Sequence, residues 1–190
     1  MFDSDEEKYF SWYLDELMNE GYIESYTPHH KSYQLAEPVA YEWKKELKTK
    51  TKIMKSTLLQ GKLYTPDFLI KWTPDAYKGL LMNLSCKSDI NGYPFTECVP
   101  LYPYSVIEIK PIFDQNNMER EFRINQKWVY QKHGIYVQLI KPLSKKKGFK
   151  GLFERTFTPK EYLLTDKKTR LRTLHYKPIG IKEYLKSLEV

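Results

Sequence analysis

Two short stretches, Tyr64-Thr65-Pro66-Asp67-Phe68 and Val106-Ile107-Glu108-Ile109-Lys110, decide the fold predicted for this chain. Both are rich in the β-branched and aromatic residues that are typical of strands. Because side chains alternate along a strand, Glu108 and Lys110 share one face, while the isoleucines between them turn into the core. The proline before Asp67 keeps the chain extended where it enters the first strand. The pattern predicts two strands that hold Asp67, Glu108 and Lys110 firmly.

These residue types suit the hydrolysis of a phosphodiester bond. A hard cation such as Mg²⁺ prefers carboxylate oxygens and water, and it lowers the pKa of a bound water molecule. We expect Asp67 and Glu108 to be metal ligands, with the backbone carbonyl of Ile109 as a third contact. The ammonium of Lys110 would act on the attacking hydroxide or on the phosphate. The predicted cofactor is therefore Mg²⁺, for which Mn²⁺ can substitute.

The motif Pro66-Asp67, followed by an apolar strand and then by Glu108-Ile109-Lys110, resembles that of the PD-(D/E)xK nuclease superfamily. The resemblance implies an α/β, restriction-endonuclease-like core, in which an α-β-β-β-α-β order builds a mixed sheet flanked by helices. A lone Glu-x-Lys also occurs on any exposed, charged strand, so only the conjunction of motifs favours a nuclease. A second Pro-Asp pair, in Thr73-Pro74-Asp75, is typical of a turn, and we therefore prefer Asp67.

The N-terminal segment predicts an amphipathic helix. Ser4 and Glu7 have the spacing of a capping box. The buried stripe is expected to contain Phe10, Tyr13, Leu14 and Leu17. In the superfamily this helix often contributes an acidic residue to the metal site, and the resemblance implies that Glu7 is that catalytic and metal-binding residue, with Glu6 as the alternative. The other interpretation is that Glu7 only caps the helix.

In motif, the chain most resembles the phage endonuclease I-type Holliday junction resolvases of this superfamily, and the resemblance extends over about Ser4 to Ile140. The segment Tyr41-Glu42-Trp43-Lys44 also looks like the first strand of that family. The compact members of that family have no counterpart of residues 73–103. We therefore predict a nuclease core over 1–141 with an insertion at about 73–103. A basic C-terminal extension, 142–190, is expected to pack on the core. The resemblance implies a homodimer that binds branched or duplex DNA.

Positive charge is concentrated near the C-terminus. Residues 141–190 contain 14 Lys or Arg and 5 Asp or Glu, a net charge of +9, whereas residues 1–140 have 17 and 19, a net charge of −2. Such a segment can bind a phosphate backbone or simply form a solubilising surface. The candidate nucleic-acid-binding cations are Lys145, Lys146, Lys147, Lys168, Arg170 and Arg172. On the predicted helix 118–132, the superfamily resemblance implies that a polar residue, Gln126 or Lys127, faces the site; the alternative is that the helix only packs through its apolar residues.

The composition, with 41% hydrophobic residues, fits a globular protein of one domain. No apolar run reaches membrane-spanning length and the N-terminus is acidic, so we expect a cytoplasmic protein without a membrane partner. The sequence predicts a Mg²⁺-dependent DNA endonuclease, of the phage junction-resolvase type. The alternatives are a restriction-type or transposon-end endonuclease, or a DNA-binding accessory protein that keeps the fold without catalysis. The doublet His29-His30 is assigned to a loop.

Overall fold

The computed structural model describes residues 2–76, 80–81, 97–99, 102–113, 118–144, 150–165 and 173–188. Helix α1 (Asp5–Asn19) begins after Ser4, whose Oγ accepts the Glu7 N–H at 3.2 Å. The helix ends before Gly21, which has a φ of 85°, a conformation that glycine adopts without strain. The four predicted stripe residues are fully buried. The predicted N-terminal helix is therefore confirmed.

Within the described residues, the main sheet has five strands: β1 (Ile23–Pro28), β6 (Phe68–Trp72), β7 (Glu97–Val99), β8 (Tyr102–Ile109) and β9 (Val137–Ile140). Strands β1, β6, β8 and β7 pair in that order and are antiparallel, whereas β9 runs parallel to β8. A parallel pair needs a crossover, which helix α2 (Met118–His133) supplies. The chain is thus a mixed α/β protein with a mixed sheet, as predicted.

Alternation along β8 separates the two cores on either face of the sheet. Val106 packs against residues of α2 such as Phe122 and Val129, whereas Ile107 and Ile109 pack with α1 on the opposite face. Glu108 has the orientation of Val106, so its carboxylate is on the α2 face. The sheet is therefore the middle of three layers.

The C-terminal helices complete the layer that contains α1. They are α3 (Leu152–Arg155), α4 (Lys160–Leu163) and α5 (Ile181–Leu188). Phe153, Tyr162 and Tyr184 belong to the same buried cluster as the α1 stripe. The described part of the C-terminal extension is thus part of the main core. Among the described helices, none is long and apolar enough to cross a bilayer.

The first strand-like stretch, 64–68, is divided between two strands. Strand β5 (Lys62–Tyr64) pairs with β2 (Tyr33–Ala36) in a separate small sheet, and β6 begins only at Phe68. Pro66 lies in the break, where it cannot donate a ladder hydrogen bond. The break places Asp67 at the start of β6 rather than inside a continuous strand.

The segment 41–44 does not enter the main sheet, and its assignment as the first core strand is wrong. It lies in β3 (Val39–Glu46), which pairs with β4 (Thr51–Leu59) in an exposed two-stranded ribbon. Strand β1 takes the expected place beside β6. The physical reason is that Glu and Lys on β3 leave neither face apolar enough to cover a core.

Most of the predicted insertion, 73–103, lies outside the described residues. The same holds for the six candidate cations Lys145, Lys146, Lys147, Lys168, Arg170 and Arg172. At the start of the insertion, the Ala76 N–H donates to the Thr73 carbonyl at 3.1 Å, so Asp75 lies in an exposed turn, as predicted.

Candidate functional site

Asp67 is held between the two strands that neighbour β6. Its backbone carbonyl accepts the His29 N–H at 2.9 Å, at the end of β1. On the other side, its carboxylate Oδ2 accepts the backbone N–H of Ile109 at 2.6 Å. The ladder pairs Phe68 with Ile107, so its continuation sets Pro66 opposite Ile109. Pro66 has no N–H to donate across the ladder, and the side chain of Asp67 occupies the space beside it.

The same register determines which way the backbone carbonyl of Ile109 points. Lys110 donates its N–H to Ile140 on β9, so the backbone of Ile109 faces the other edge of β8, towards Asp67. Pro66 cannot donate a hydrogen bond to this carbonyl. The Ile109 carbonyl, for which the sequence predicts a contact to a metal, thus lies on the Asp67 side of β8.

Glu108 and Lys110 meet, as the alternation along β8 predicts. Glu108 is only 5% exposed, and its Oε1 lies 2.6 Å from the Lys110 Nζ. Its Oε2 accepts a hydrogen bond from the Tyr64 hydroxyl at 2.7 Å. Burial, and then the charge of Glu108, raise the pKa of Tyr64 above its usual value, so this phenol remains a donor. Tyr64 begins the first of the two strand-like stretches, but its place in the sequence predicted no role for its hydroxyl.

The electrostatics of Asp67 are those of a carboxylate surrounded by other carboxylates. Burial raises the pKa of Asp67 to about 8, and the negative charges of Glu108 and Glu7 act in the same direction. The Ile109 N–H and the Lys110 ammonium lower this pKa in part. Near neutral pH, Asp67 therefore retains a proton for much of the time unless a cation compensates its charge.

Glu7 closes the capping box and also borders the site. Its Oε1 accepts the Ser4 hydroxyl at 2.9 Å, and its Oε2 accepts the Asp3 N–H at 3.1 Å. The residue is 5% exposed and its charge acts on Asp67, whereas Glu6 is partly exposed. Of the two candidate acids on α1, Glu7 is the one that the fold turns towards Asp67.

His29 is a site residue that the sequence-based assignment to a loop missed. It has a φ of 47°, a left-handed conformation that is uncommon outside glycine. Its Nε2 lies 3.6 Å from Glu7 Oε2 and 3.9 Å from Asp3 Oδ2. This nitrogen atom is buried and has no hydrogen-bond partner. The histidine doublet directly after β1 was the one signal that could have identified it.

The donor set fits a hard divalent cation. Two carboxylates and a carbonyl are oxygen donors of the kind that Mg²⁺ prefers, and Mg²⁺ commonly keeps several waters. Within the described residues, no group of three His, Cys, Asp or Glu side chains is placed to hold a metal ion by itself. A cation bound by Asp67 and Glu108 would therefore need the Ile109 carbonyl and water as further ligands. It would also replace Lys110 as the partner of Glu108 Oε1.

The two candidates on α2 are placed differently. Gln126 is 7% exposed, and its Nε2 donates to the Val137 carbonyl at 2.6 Å, so the amide joins α2 to β9. This buried hydrogen bond leaves it no surface for nucleic acid, contrary to its assignment as a binding residue. Lys127 is exposed and stays a candidate.

Comparisons with known proteins give no further guide to this site. No family model matches the chain, and no curated protein and no solved structure is significantly similar to it. What the site can do is therefore inferred from its own geometry.

Proposed function

We propose that the chain is a Mg²⁺-dependent DNA endonuclease with a restriction-endonuclease-like core of the PD-(D/E)xK kind. One observation carries the proposal. Asp67 and Glu108 lie at the same end of the adjacent strands β6 and β8, and the Lys110 Nζ is 2.6 Å from Glu108. These are the three side chains that the motif requires, and they come together from segments more than forty residues apart.

Each residue has a distinct task in this proposal. The bound cation would neutralise phosphate oxygens and favour ionisation of a water molecule. Asp67 and Glu108 hold it, while the Ile109 N–H fixes the orientation of the Asp67 carboxylate. Lys110, released from Glu108, supplies a positive charge close to the scissile phosphate. Tyr64 keeps Glu108 in place through its hydroxyl.

The electrostatic cost of the site favours catalysis over a purely DNA-binding role. Burial, and then the negative charge of Glu108, raise the pKa of Asp67 to about 8. Carboxylates held together in this way also repel phosphate. A protein that only binds DNA gains nothing from such a cluster. A metal-dependent phosphodiesterase needs it, because the cation converts the repulsive site into an attractive one.

The test is a cleavage assay with a four-way junction, a linear duplex and a single strand. We expect cleavage of at least one DNA with Mg²⁺ or Mn²⁺, and none with EDTA. Preference for the junction would favour a resolvase, and preference for the duplex a restriction-type or transposon-end nuclease. A protein that binds DNA but leaves all three substrates intact with either metal would instead be an accessory protein. Mass measurement in solution would test the expected homodimer.

A further inference from the structure

The ribbon formed by residues 39–59 carries chemistry that the proposed active site does not use. All of β3 is exposed, and within the described residues the ribbon strands pair only with each other. A tight turn, in which the Leu47 N–H donates to the Lys50 carbonyl at 2.9 Å, closes its tip. The ribbon contains six lysines and two glutamates. It is therefore a basic element that projects from the three-layer core.

The register sorts these charges onto two different faces. Cross-strand partners share a face, and the pairs are Tyr41 with Ser56, Trp43 with Met54 and Lys45 with Lys52. We call this the aromatic face. Both glutamates of the ribbon lie on the other, mixed face, which consists of Glu42 with Lys55, Lys44 with Ile53 and Glu46 with Thr51. In the paired strands, each face has two lysines. The charged residues of the aromatic face are thus all lysines, whereas those of the mixed face include both glutamates.

The aromatic side chains are arranged as a platform. The indole Nε1 of Trp43 donates to the Ser56 hydroxyl at 2.9 Å, across to the other strand, which fixes the ring over the ribbon. Trp43 is nevertheless 40% exposed, and Tyr41 is 46% exposed. Beyond them, Lys45 and Lys52 are directly opposite each other. Like charges in that position repel, unless an anion binds between them.

We infer that the aromatic face binds unpaired nucleotides of a nucleic acid strand, with bases stacked on Tyr41 and Trp43 and phosphates held by Lys45 and Lys52. Stacking on aromatic rings beside a cationic track is how proteins bind single strands without reading sequence. A second copy of the ribbon is a poor occupant, because its excess of lysines would repel an identical surface. The inference deepens the proposed function, because it assigns the nuclease a substrate with an unpaired strand. Only the statement that this strand is cleaved rests on the proposed function; binding to the ribbon does not.

The fold connects this face to the candidate site. The ribbon leads directly into β5, whose Tyr64 donates to Glu108, and from there to Asp67. The ribbon is thus followed directly along the chain by the segment that contains Tyr64 and Asp67. The ribbon has six lysines against two glutamates, whereas residues 1–140, which include it, have a net charge of −2.

The test is binding by the full chain in EDTA, where no cleavage can occur, with the Asp67→Asn substitution as background. The probes are a fluorescent single strand of about 20 nucleotides and a duplex of the same sequence. Tyr41→Ser combined with Trp43→Ser should weaken single-strand binding about tenfold or more. Lys45→Gln with Lys52→Gln should weaken it and lower the salt dependence by about 0.7 log unit per lost contact.

The matched control is Lys44→Gln with Lys55→Gln, which removes the same charge from the same strands but from the mixed face. In this control, we expect the affinity for the single strand to stay within about threefold of that of the Asp67→Asn background. We also expect the salt slope to stay unchanged. Equal losses for the two lysine pairs would show that only net charge matters and would overturn the inference.

Two other outcomes would also overturn it. Unchanged binding in the aromatic variant would exclude stacking, and a change from dimer to monomer in that variant, with binding intact, would identify a second copy as the occupant. Thermal unfolding checks that all variants fold, which is expected because the ribbon is outside the core. Because the assay needs neither metal nor turnover, failure of the nuclease proposal would leave a positive binding result standing.

Discussion

At the scale of single residues, Asp67 gives the clearest pH dependence. Its pKa is raised from 3.8 to about 8, so the folded protein binds this proton more tightly than the unfolded chain does. The resulting stability is fully present below pH 4 and is lost as the pH rises through 8. In EDTA, we expect the melting temperature of the wild type to fall, relative to Asp67→Asn, between pH 4 and pH 8.

Thermal scans of both proteins over this pH range provide the measurement, and the difference between them cancels the titration of groups remote from Asp67. Adding Mn²⁺ at pH 8 should raise the melting temperature of the wild type and not that of the variant. A constant difference from pH 4 to pH 8 would mean that Asp67 titrates normally and is not buried among charges.

Cleavage should depend on Asp67 and Glu108. Each of Asp67→Asn and Glu108→Gln removes one metal ligand, and we expect each to reduce the cleavage rate at least a hundredfold. DNA binding should stay equal in Asp67→Asn, because Asp67 is largely protonated near neutral pH without a cation, and it should be equal or tighter in Glu108→Gln, which removes a carboxylate that repels phosphate. The control is Asp75→Asn, in the exposed turn after β6, which should retain nearly full activity. A defect at Asp75 as deep as that at Asp67 would relocate the site to the second Pro-Asp pair.

Lys110 should act in the chemical step rather than in metal binding. Its Nζ pairs with Glu108 Oε1, which a cation would take over, so Lys110→Met leaves the metal ligands in place. We expect cleavage to slow by about 10²–10³-fold, in the range seen when a group that stabilises transition-state charge is removed. Calorimetry should show Mn²⁺ affinity unchanged. Loss of that affinity would contradict this division of roles.

At the scale of elements, β5 contributes one hydroxyl to the site. Tyr64 donates to the buried carboxylate of Glu108, and Tyr64→Phe would leave that oxygen without this donor. A hydrogen bond to a charged group is worth about 1.5–3 kcal/mol, and we expect the free energy of unfolding to fall by about that amount. Urea titrations measure it. Leu63→Ala, at an exposed position of the same strand, is the control and should change little.

The elements show where sequence patterns predict structure well. Helices α1 and α2 and strand β8 were predicted within a few residues, because their apolar spacing is set by burial against the sheet. The ribbon was missed as a unit, since alternating Lys, Glu and aromatic residues fit a core edge and an exposed hairpin equally well. Only pairing partners distinguish the two, and these depend on distant parts of the chain.

The site was predictable in the same uneven way. That Glu108 and Lys110 share a face follows from strand alternation, a local feature, whereas the choice of Asp67 rested on the motif resemblance, and its position beside β8 depends on the pairing of β6 with β8. The contacts of Tyr64 and His29 are not local, because they depend on how β5 and the end of β1 pack beside β8 and α1. Gln126 was assigned to nucleic acid because its helix was known, while the face it presents to β9 was not.

At the scale of the whole molecule, the net charge of +9 on residues 141–190 predicts a second contact with DNA. Replacing Lys146, Lys168 and Arg170 with Ala should weaken binding to all duplex sequences alike and flatten the salt dependence by about 0.9 log unit per lost contact. Turnover at saturating DNA should change little. Titrations across salt concentrations, in the Asp67→Asn background, measure the slope. An unchanged slope would make the segment a solubilising surface.

The ribbon also has a consequence for how such a protein could diversify. Its two ends, Val39 and Leu59, are cross-strand partners, so a two-residue turn could close the gap if everything between them were removed. The core would lose no buried residue. Substrate preference and chemistry would then reside in separately exchangeable parts of one chain. If the ribbon binds nucleic acid as proposed, a lineage that acquired, lengthened or discarded it would change the nucleic acid bound while Asp67 and Glu108 stayed unchanged.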